Sequence, residues 1–464
     1  MGFRNAASLE REGVSLNAIH ARLALLPDGW KSDVRIEIVD GRIASLESGS
    51  APQPADLAHR VLVPGTSNLH SHAFHRGMAG LAEVAGPAAD TFWTWREVMY
   101  RFALSMTPDQ MEAVASQAYV EMLEAGFTRV GEFHYLHHER DGSPYANIAE
   151  MASRIATASA RTRLRLTLLP VFYAHANFGG QPHLPEQRRF ISNLAGFEKL
   201  LEASRKAIAT LNGAVLGVAP HSLRAVTPDE LAEVIALLPQ GPIHIHAAEQ
   251  DKEVDDCLAW SGKRPVAWLL DHADLNHRWC LIHATHITNR ETRRLAATGA
   301  VSGLCPITEA NLGDGIFPAR KFVDGGGQLG IGTDSNVRIS VIEELRQLEY
   351  AQRLRLRQRN VLSGGGATGR ALFESASRGG LQALGVADTG IAIGAPADLV
   401  ALATDLWEGD DGDGILDAWI FARGVAVDRV WVGGQQVVEG GRHFDRAAIA
   451  SAYLSAMHEL LADS

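Results

Sequence analysis

The chain has 464 residues, enough for one large domain and a smaller one. With 46% hydrophobic and 21% charged residues it has globular proportions, and a net charge of −11 without a long basic run argues against nucleic acid or an anionic membrane surface as partner. Cys257, Cys280 and Cys305 form no CxxC pair, no apolar core marks the N-terminus, and no run approaches about 18 apolar residues, so a reducing, cytoplasmic setting is the expectation.

Residues 1–63 read as short strands and turns. Apolar runs at 21–26 and 34–39 precede Asp40-Gly41, a hairpin signal because a type I′ turn needs positive φ at both central positions, and 42–46 is the return strand. From Pro64 the texture changes. Strand-like runs at 66–72, 129–133, 165–173, 215–222, 242–249, 280–287, 300–307 and 328–335 alternate with amphipathic stretches at 107–124, 148–161, 190–211, 228–238 and 289–298. This alternation implies parallel pairing with helices outside the sheet. Eight such units over roughly 270 residues suit a closed (β/α)8 TIM-like barrel better than an open doubly wound sheet, and no GxGxxG opens a helix, which removes the usual Rossmann signal. The aromatic stretch from Thr91 to Phe102 reads either as an insertion packed over the barrel mouth or as a plain buried helix. Helices follow at 340–360, 368–384 and 445–462, and strand signals return at 397–402 and 429–438, with Gly433-Gly434 as a second hairpin turn. Residues 364–366 and 410–414 read as loops. The predicted architecture is α/β: a (β/α)8 barrel over 64–387, a small β-sandwich domain built from 1–63 and 388–444, and a C-terminal helix over 445–464.

The chemistry starts at Asn68-Leu-His-Ser-His72. In a strand, His70 and His72 point to one side because side chains alternate with period two. Barrel active sites sit at strand C-termini, and three later runs end in suitable residues: His246 and Glu249 on the fifth, His283 on the sixth, Asp334 on the eighth. His70, His72, His246 and Asp334 make a metal-ligand set of nitrogen and oxygen donors, and zinc accepts such donors while keeping a position for water. A bound metal would bring the pKa of a water toward about 7. Asp334 can take a proton from that water, Glu249 suits a proton shuttle, and His283 can hydrogen-bond the developing tetrahedral centre. His244 faces the same side one layer deeper and suits a buried structural role. The fourth run ends in Ala219-Pro-His-Ser-Leu-Arg224 without a lysine to bridge a second ion, so one divalent metal is expected.

These residues resemble the amidohydrolase superfamily, with the split β domain as its companion. Within it, Asn68-Leu-His-Ser-His-Ala-Phe74, Thr91-Phe-Trp-Thr-Trp-Arg96, Gly131-Glu-Phe-His-Tyr-Leu-His137, Ala219-Pro-His-Ser-Leu-Arg224 and Thr308-Glu-Ala-Asn-Leu-Gly-Asp-Gly-Ile-Phe317 are similar to the formimidoylglutamate deiminase family of histidine degradation. The resemblance implies hydrolysis of N-formimino-L-glutamate to N-formyl-L-glutamate and ammonia, zinc as the metal, and a homodimer. It also implies that Arg96, Tyr135, His221 and Arg224 hold the glutamate part. His75 stands where the family often has a substrate-contacting Gln. The physics of a dicarboxylate agrees, since Arg binds carboxylate in a bidentate, charge-assisted fashion. Two alternatives compete: an aminohydrolase acting on a purine, pyrimidine or triazine, and a non-catalytic barrel scaffold. The second would have lost ligands or Asp334, and this chain has lost neither.

Overall fold

The computed structural model describes residues 17–84, 91–387, 390–404 and 411–462. The N-terminal stretch read for a targeting signal, the junction expected at 388 and Asp410 of the expected loop lie outside the described residues.

In chain order the strands are β1 (Asn17–Leu26), β2 (Gly29–Val39), β3 (Arg42–Glu47), β4 (Leu57–Pro64), β5 (Thr66–Ser71), β6 (Phe127–His134), β7 (Arg165–Phe172), β8 (Val215–Leu216), β9 (Ala219–Pro220), β10 (Ile243–Ala247), β11 (Trp279–His283), β12 (Val301–Leu304), β13 (Gln328–Ile331), β14 (Leu399–Ala403), β15 (Ala426–Val432), β16 (Gln435–Glu439) and β17 (Arg442–His443). The helices are α1 (Phe92–Ser105), α2 (Pro108–Glu124), α3 (Glu150–Thr162), α4 (Leu194–Ile208), α5 (Pro228–Ala236), α6 (Asp251–Ser261), α7 (Pro265–His272), α8 (Asn289–Ala296), α9 (Pro306–Leu312), α10 (Ala319–Asp324), α11 (Val341–Leu356), α12 (Thr368–Ala383), α13 (Gly412–Phe421) and α14 (Arg446–Ala462). Among the described residues no helix is long and apolar enough to cross a membrane.

Strands β5 to β8 and β10 to β13 form two parallel sheets, with β9 paired to β7. Single parallel bridges close the ring: Val218–Ile243 and Ser222–His246 on one seam, Ser71–Asp334 on the other. This is the expected (β/α)8 barrel. The run at 215–222 is broken into β8 and β9 around Gly217, where a Cβ would meet Pro242 O at 2.8 Å. Four other barrel strands end earlier than their apolar runs suggest. Ala248 after β10, His283 and Ala284 at the end of β11, and Asp334 beyond β13 have φ of 53°, 66°, 48° and 44°, so the backbone turns out of the sheet at three of these ends.

The two chain ends meet in one sheet of order β17-β16-β15-β14-β4-β1-β2-β3, joined by antiparallel β4 and β14. Its strands form one continuous hydrogen-bonded path. Both hairpin turns have the required backbone: Asp40 and Gly41 at φ 49° and 75°, Gly433 and Gly434 at 54° and 72°. The expected loop at 410–414 is corrected in part, because Gly412 to Gly414 open α13. Helix α12 covers the barrel floor so closely that a Cβ on Gly379 would stand 1.9 Å from Leu329 O. His244, buried on the barrel interior, hydrogen-bonds Ala383 O at 2.7 Å there. With that end filled, the other end is free for chemistry. Over it lies α1, capped by reciprocal bonds between Thr91 and Thr94.

Candidate active site

A backbone lock sets the metal-ligand geometry. The amides of Thr333 and Asp334 donate to His70 O at 3.0 and 2.9 Å, and His72 N donates to Asp334 O at 3.0 Å. Asn68 Oδ1 accepts from Thr333 N, and Asn336 Nδ2 donates to Ser71 Oγ and His72 O. The approach requires Gly332, where a Cβ would sit 2.8 Å from His70 O. Such non-glycine positive φ as that of Asp334 costs of order 1–3 kcal/mol and persists only where surroundings enforce it.

The ligand atoms of His70, His72, His246 and Asp334, all buried, lie within 4.8 Å of one another. His72 Nδ1 donates to Phe133 O at 2.9 Å and His246 Nδ1 to His221 O at 3.1 Å, which leaves Nε2 of each ring as a bare lone pair. His72 Nε2 nevertheless stands 3.2 Å from Asp334 Oδ1, and His246 Nε2 stands 3.1 Å from His70 Nε2. Burial pushes His70 down to about 3, so its ring is neutral. Lone pairs and a carboxylate oxygen facing one another at these distances repel unless a cation lies among them. The residues fit a divalent metal.

Glu249 and His283 adjoin this cluster. His283 Nε2 is 3.6 Å from both Glu249 Oε1 and Asp334 Oδ2. Burial pulls the imidazole pKa down, yet Glu249, Glu309 and Asp334 outweigh it and raise it to about 10. Burial raises the Glu249 carboxyl above its ordinary range. Three residues not singled out from the sequence hold these groups. Glu309 Oε1 lies 3.3 Å from His283 Nδ1 and accepts from Cys305 N at 2.9 Å. Glu253 accepts from Ala248 N and Glu249 N at 3.0 and 3.1 Å, pinning the turn that aims Glu249. Asp314, pushed up to about 9 by burial and then by the charge of Glu249, accepts from Gln250 Nε2. The only sequence signals for them were the Thr308-Glu motif and the acid four residues after Glu249.

The remaining expected residues line one pocket with His72, His246, Glu249 and Asp334: His75, Arg96, Tyr135, His221 and Arg224. His75 Nε2 is 2.8 Å from the Tyr135 hydroxyl. Arg96 lies over the rings of Trp93 and Tyr100 at 4.6 and 5.5 Å. Arg224 is buried and its Nε has no partner. Phe92, Trp95, Met99 and Tyr100, from the aromatic stretch read as an insertion over the mouth or a buried helix, line the pocket too, with Tyr173, Phe190 and Leu312, which were given no site role from the sequence. A pocket with a metal-ligand cluster at one end and two guanidinium groups elsewhere on its lining can hold an anionic substrate and hydrolyse it.

Comparisons with known proteins agree in extent and kind. The amidohydrolase family model matches residues 61–437, and the model of the formimidoylglutamate deiminase HutF N-terminal domain matches 16–60. A formimidoylglutamate deiminase of Pseudomonas aeruginosa is 49% identical over 458 residues, covering 96% of this chain and 100% of that protein. The crystal structure of an amidohydrolase from Brucella melitensis superposes with a TM-score of 0.95 at 59% identity, over 96% of this chain and 100% of that one. An adenosine deaminase from Xanthomonas campestris with bound zinc shares the fold, with a TM-score of 0.79 at 22% identity over 96% and 98% of the two chains. The chain belongs to the amidohydrolase family and, within it, to the formimidoylglutamate deiminases.

Proposed function

We propose that this enzyme hydrolyses N-formimino-L-glutamate to N-formyl-L-glutamate and ammonia in histidine degradation, with His70, His72, His246 and Asp334 holding one divalent ion. The observation that carries the reading is one pocket lined by both the His/Asp ligand cluster and the two arginines, Arg96 and Arg224. Three nitrogen donors and one oxygen donor suit zinc. When bound, the ion supplies Lewis-acid activation of a water.

The chain's own residues do the rest. Arg224 and Arg96 take the substrate carboxylates, with Tyr135, His221 and His75 shaping the glutamate end. Asp334 Oδ2 accepts a proton from the attacking water. The water oxygen bonds to the imino carbon, and the C=N bond opens to an amine. Glu249, held by Glu253, delivers a proton to the departing nitrogen, and His283 Nε2–H stabilises charge at the tetrahedral carbon. The proton taken up by Asp334 then passes to the amine, the C–N bond breaks as the hydroxyl becomes the formyl C=O and returns its proton to Glu249, and ammonia leaves. The aromatic wall from α1 excludes bulk water. The reading includes a cytoplasmic enzyme, in keeping with three free buried cysteines, and a homodimer by family resemblance.

Turnover in oxygen-18 water tests the reaction type. Label in the formyl group, with ammonia released in equal amount, is the expected result. Transfer of the formimino group to another acceptor without label would contradict it.

A further inference from the structure

Cys305 has no part in the chemistry above, yet it stands at the edge of the site. It follows β12 and precedes α9, at the level of the other strand ends. The ligand atoms of His283, Cys305 and Asp334 lie within 4.8 Å of one another, and all three residues are buried. A buried cysteine alone would mean nothing, but the neighbouring groups point to a ligand. His283 Nε2 is enclosed without a hydrogen-bond partner, while Nδ1 lies 3.3 Å from the carboxylate of Glu309. An imidazole oriented by a carboxylate at one nitrogen and unpartnered at the other has the arrangement of a metal-bound histidine. Asp334 offers one oxygen to each side: Oδ1 faces His70 and His72, and Oδ2 faces His283. Glu249 Oε1 lies 3.6 Å from the same Nε2.

We propose that His283, Cys305 and Asp334 form a second cation site, selective for thiophilic divalent ions, which shares Asp334 with the first ion and inhibits the enzyme when filled. Thiolate ligation favours cadmium and zinc over magnesium, calcium or manganese. The step involves no change of oxidation state. A metal–sulfur bond replaces the S–H bond of Cys305, and its proton, with any proton on His283 Nε2, leaves to solvent. Inhibition follows because the ion occupies His283 Nε2 and Asp334 Oδ2. That part rests on the roles proposed for these two atoms; the existence of the site does not.

The test titrates cadmium into holoenzyme loaded with about one zinc per chain. Bound cadmium and retained zinc are measured by dialysis and metal analysis, the cadmium–thiolate charge-transfer band in the ultraviolet, and turnover in the same samples. The wild-type enzyme is expected to take a second ion with the thiolate band while keeping its zinc, and turnover to fall at least about tenfold as His283 is withdrawn from proton handling. Cys305→Ala should bind no second ion, show no band and keep its turnover at the same cadmium concentration, whereas Cys280→Ala should behave as wild type. Magnesium should neither bind there nor inhibit, a comparison that uses wild-type protein alone. No second ion in the wild type, or a band that survives in Cys305→Ala, overturns the site. A second ion with the band but undiminished turnover overturns the inhibition and leaves the ligand assignment standing.

Discussion

Glu249 sits on a turn that is fixed before substrate arrives. Its amide and that of Ala248 are both held by Glu253, and Ala248 has a φ of 53°. Changing only its carboxylate should therefore alter chemistry without altering geometry. Glu249→Gln should retain its metal, measured by elemental analysis, and lose roughly 10²- to 10⁴-fold in kcat, the range for a proton-transfer group; full turnover would remove it as the shuttle. Arg224 is buried with an unpartnered Nε in the same pocket. Arg224→Ala should raise KM about tenfold or more with a smaller change in kcat, as expected when a charge-assisted bond to substrate is lost; an unchanged KM would take it out of the site. Residues of this kind were legible in the sequence because each lies at or just beyond the end of an apolar run, where a barrel places its chemistry. Glu253, Glu309 and Asp314 were not, because they act on other residues through short contacts that spacing does not reveal.

At the scale of elements, the insertion α1 is the part whose role depends on a residue far away in sequence. Arg189 is fully buried. It donates to Ala103 O and Met106 O at the end of α1, at 2.5 and 2.8 Å, and to His138 O beyond β6 at 2.7 Å. A guanidinium at a helix C-terminus satisfies free carbonyls and complements the helix dipole. It ties the helix bearing Trp95, Arg96, Met99 and Tyr100 to the barrel. Arg189→Met should cost roughly 2–4 kcal/mol in chemical unfolding, since it leaves buried carbonyls unpaired, and should raise KM while leaving metal content unchanged. The barrel strands were readable as apolar runs, but their ends were not. At Ala248, His283 and Asp334 the chain remains apolar or compact in composition while the backbone leaves the sheet with positive φ. The short helices α6, α7, α9 and α10 were missed because their few turns carry little apolar period. The break at Gly217 depends on a neighbour, Pro242, that no local pattern names.

Across the whole molecule, β4 and β14 join the two chain ends, and the segment before α14 is tied to the barrel helices. His443 Nε2 hydrogen-bonds Thr162 O at 3.0 Å, while Nδ1 accepts from Asp445 N at 3.1 Å. Both nitrogens are satisfied by a neutral ring, and burial lowers the His443 pKa below its usual 6.5. The unfolded chain then binds this proton more readily than the folded one. The contribution of His443 to stability is complete above pH 6.5 and is lost as pH falls below it toward the folded-state pKa. His443→Gln should lose less stability than wild type between pH 7.5 and 5.5, as read by urea unfolding; equal losses would show that this ring does not titrate. The pairing of the two chain ends was visible as strand signals flanking the barrel, whereas its single-sheet order was not, because register between distant strands leaves no local mark. Ammonia release by purified, metal-analysed protein decides both substrate and metal dependence, with N-formimino-L-glutamate set against guanine and cytosine. Rapid release from formiminoglutamate alone is expected, lost on metal removal and restored at about one divalent ion per chain. Release from a nucleobase but not from formiminoglutamate would contradict the roles given to Arg96 and Arg224, and undiminished release after metal removal would contradict the metal centre itself.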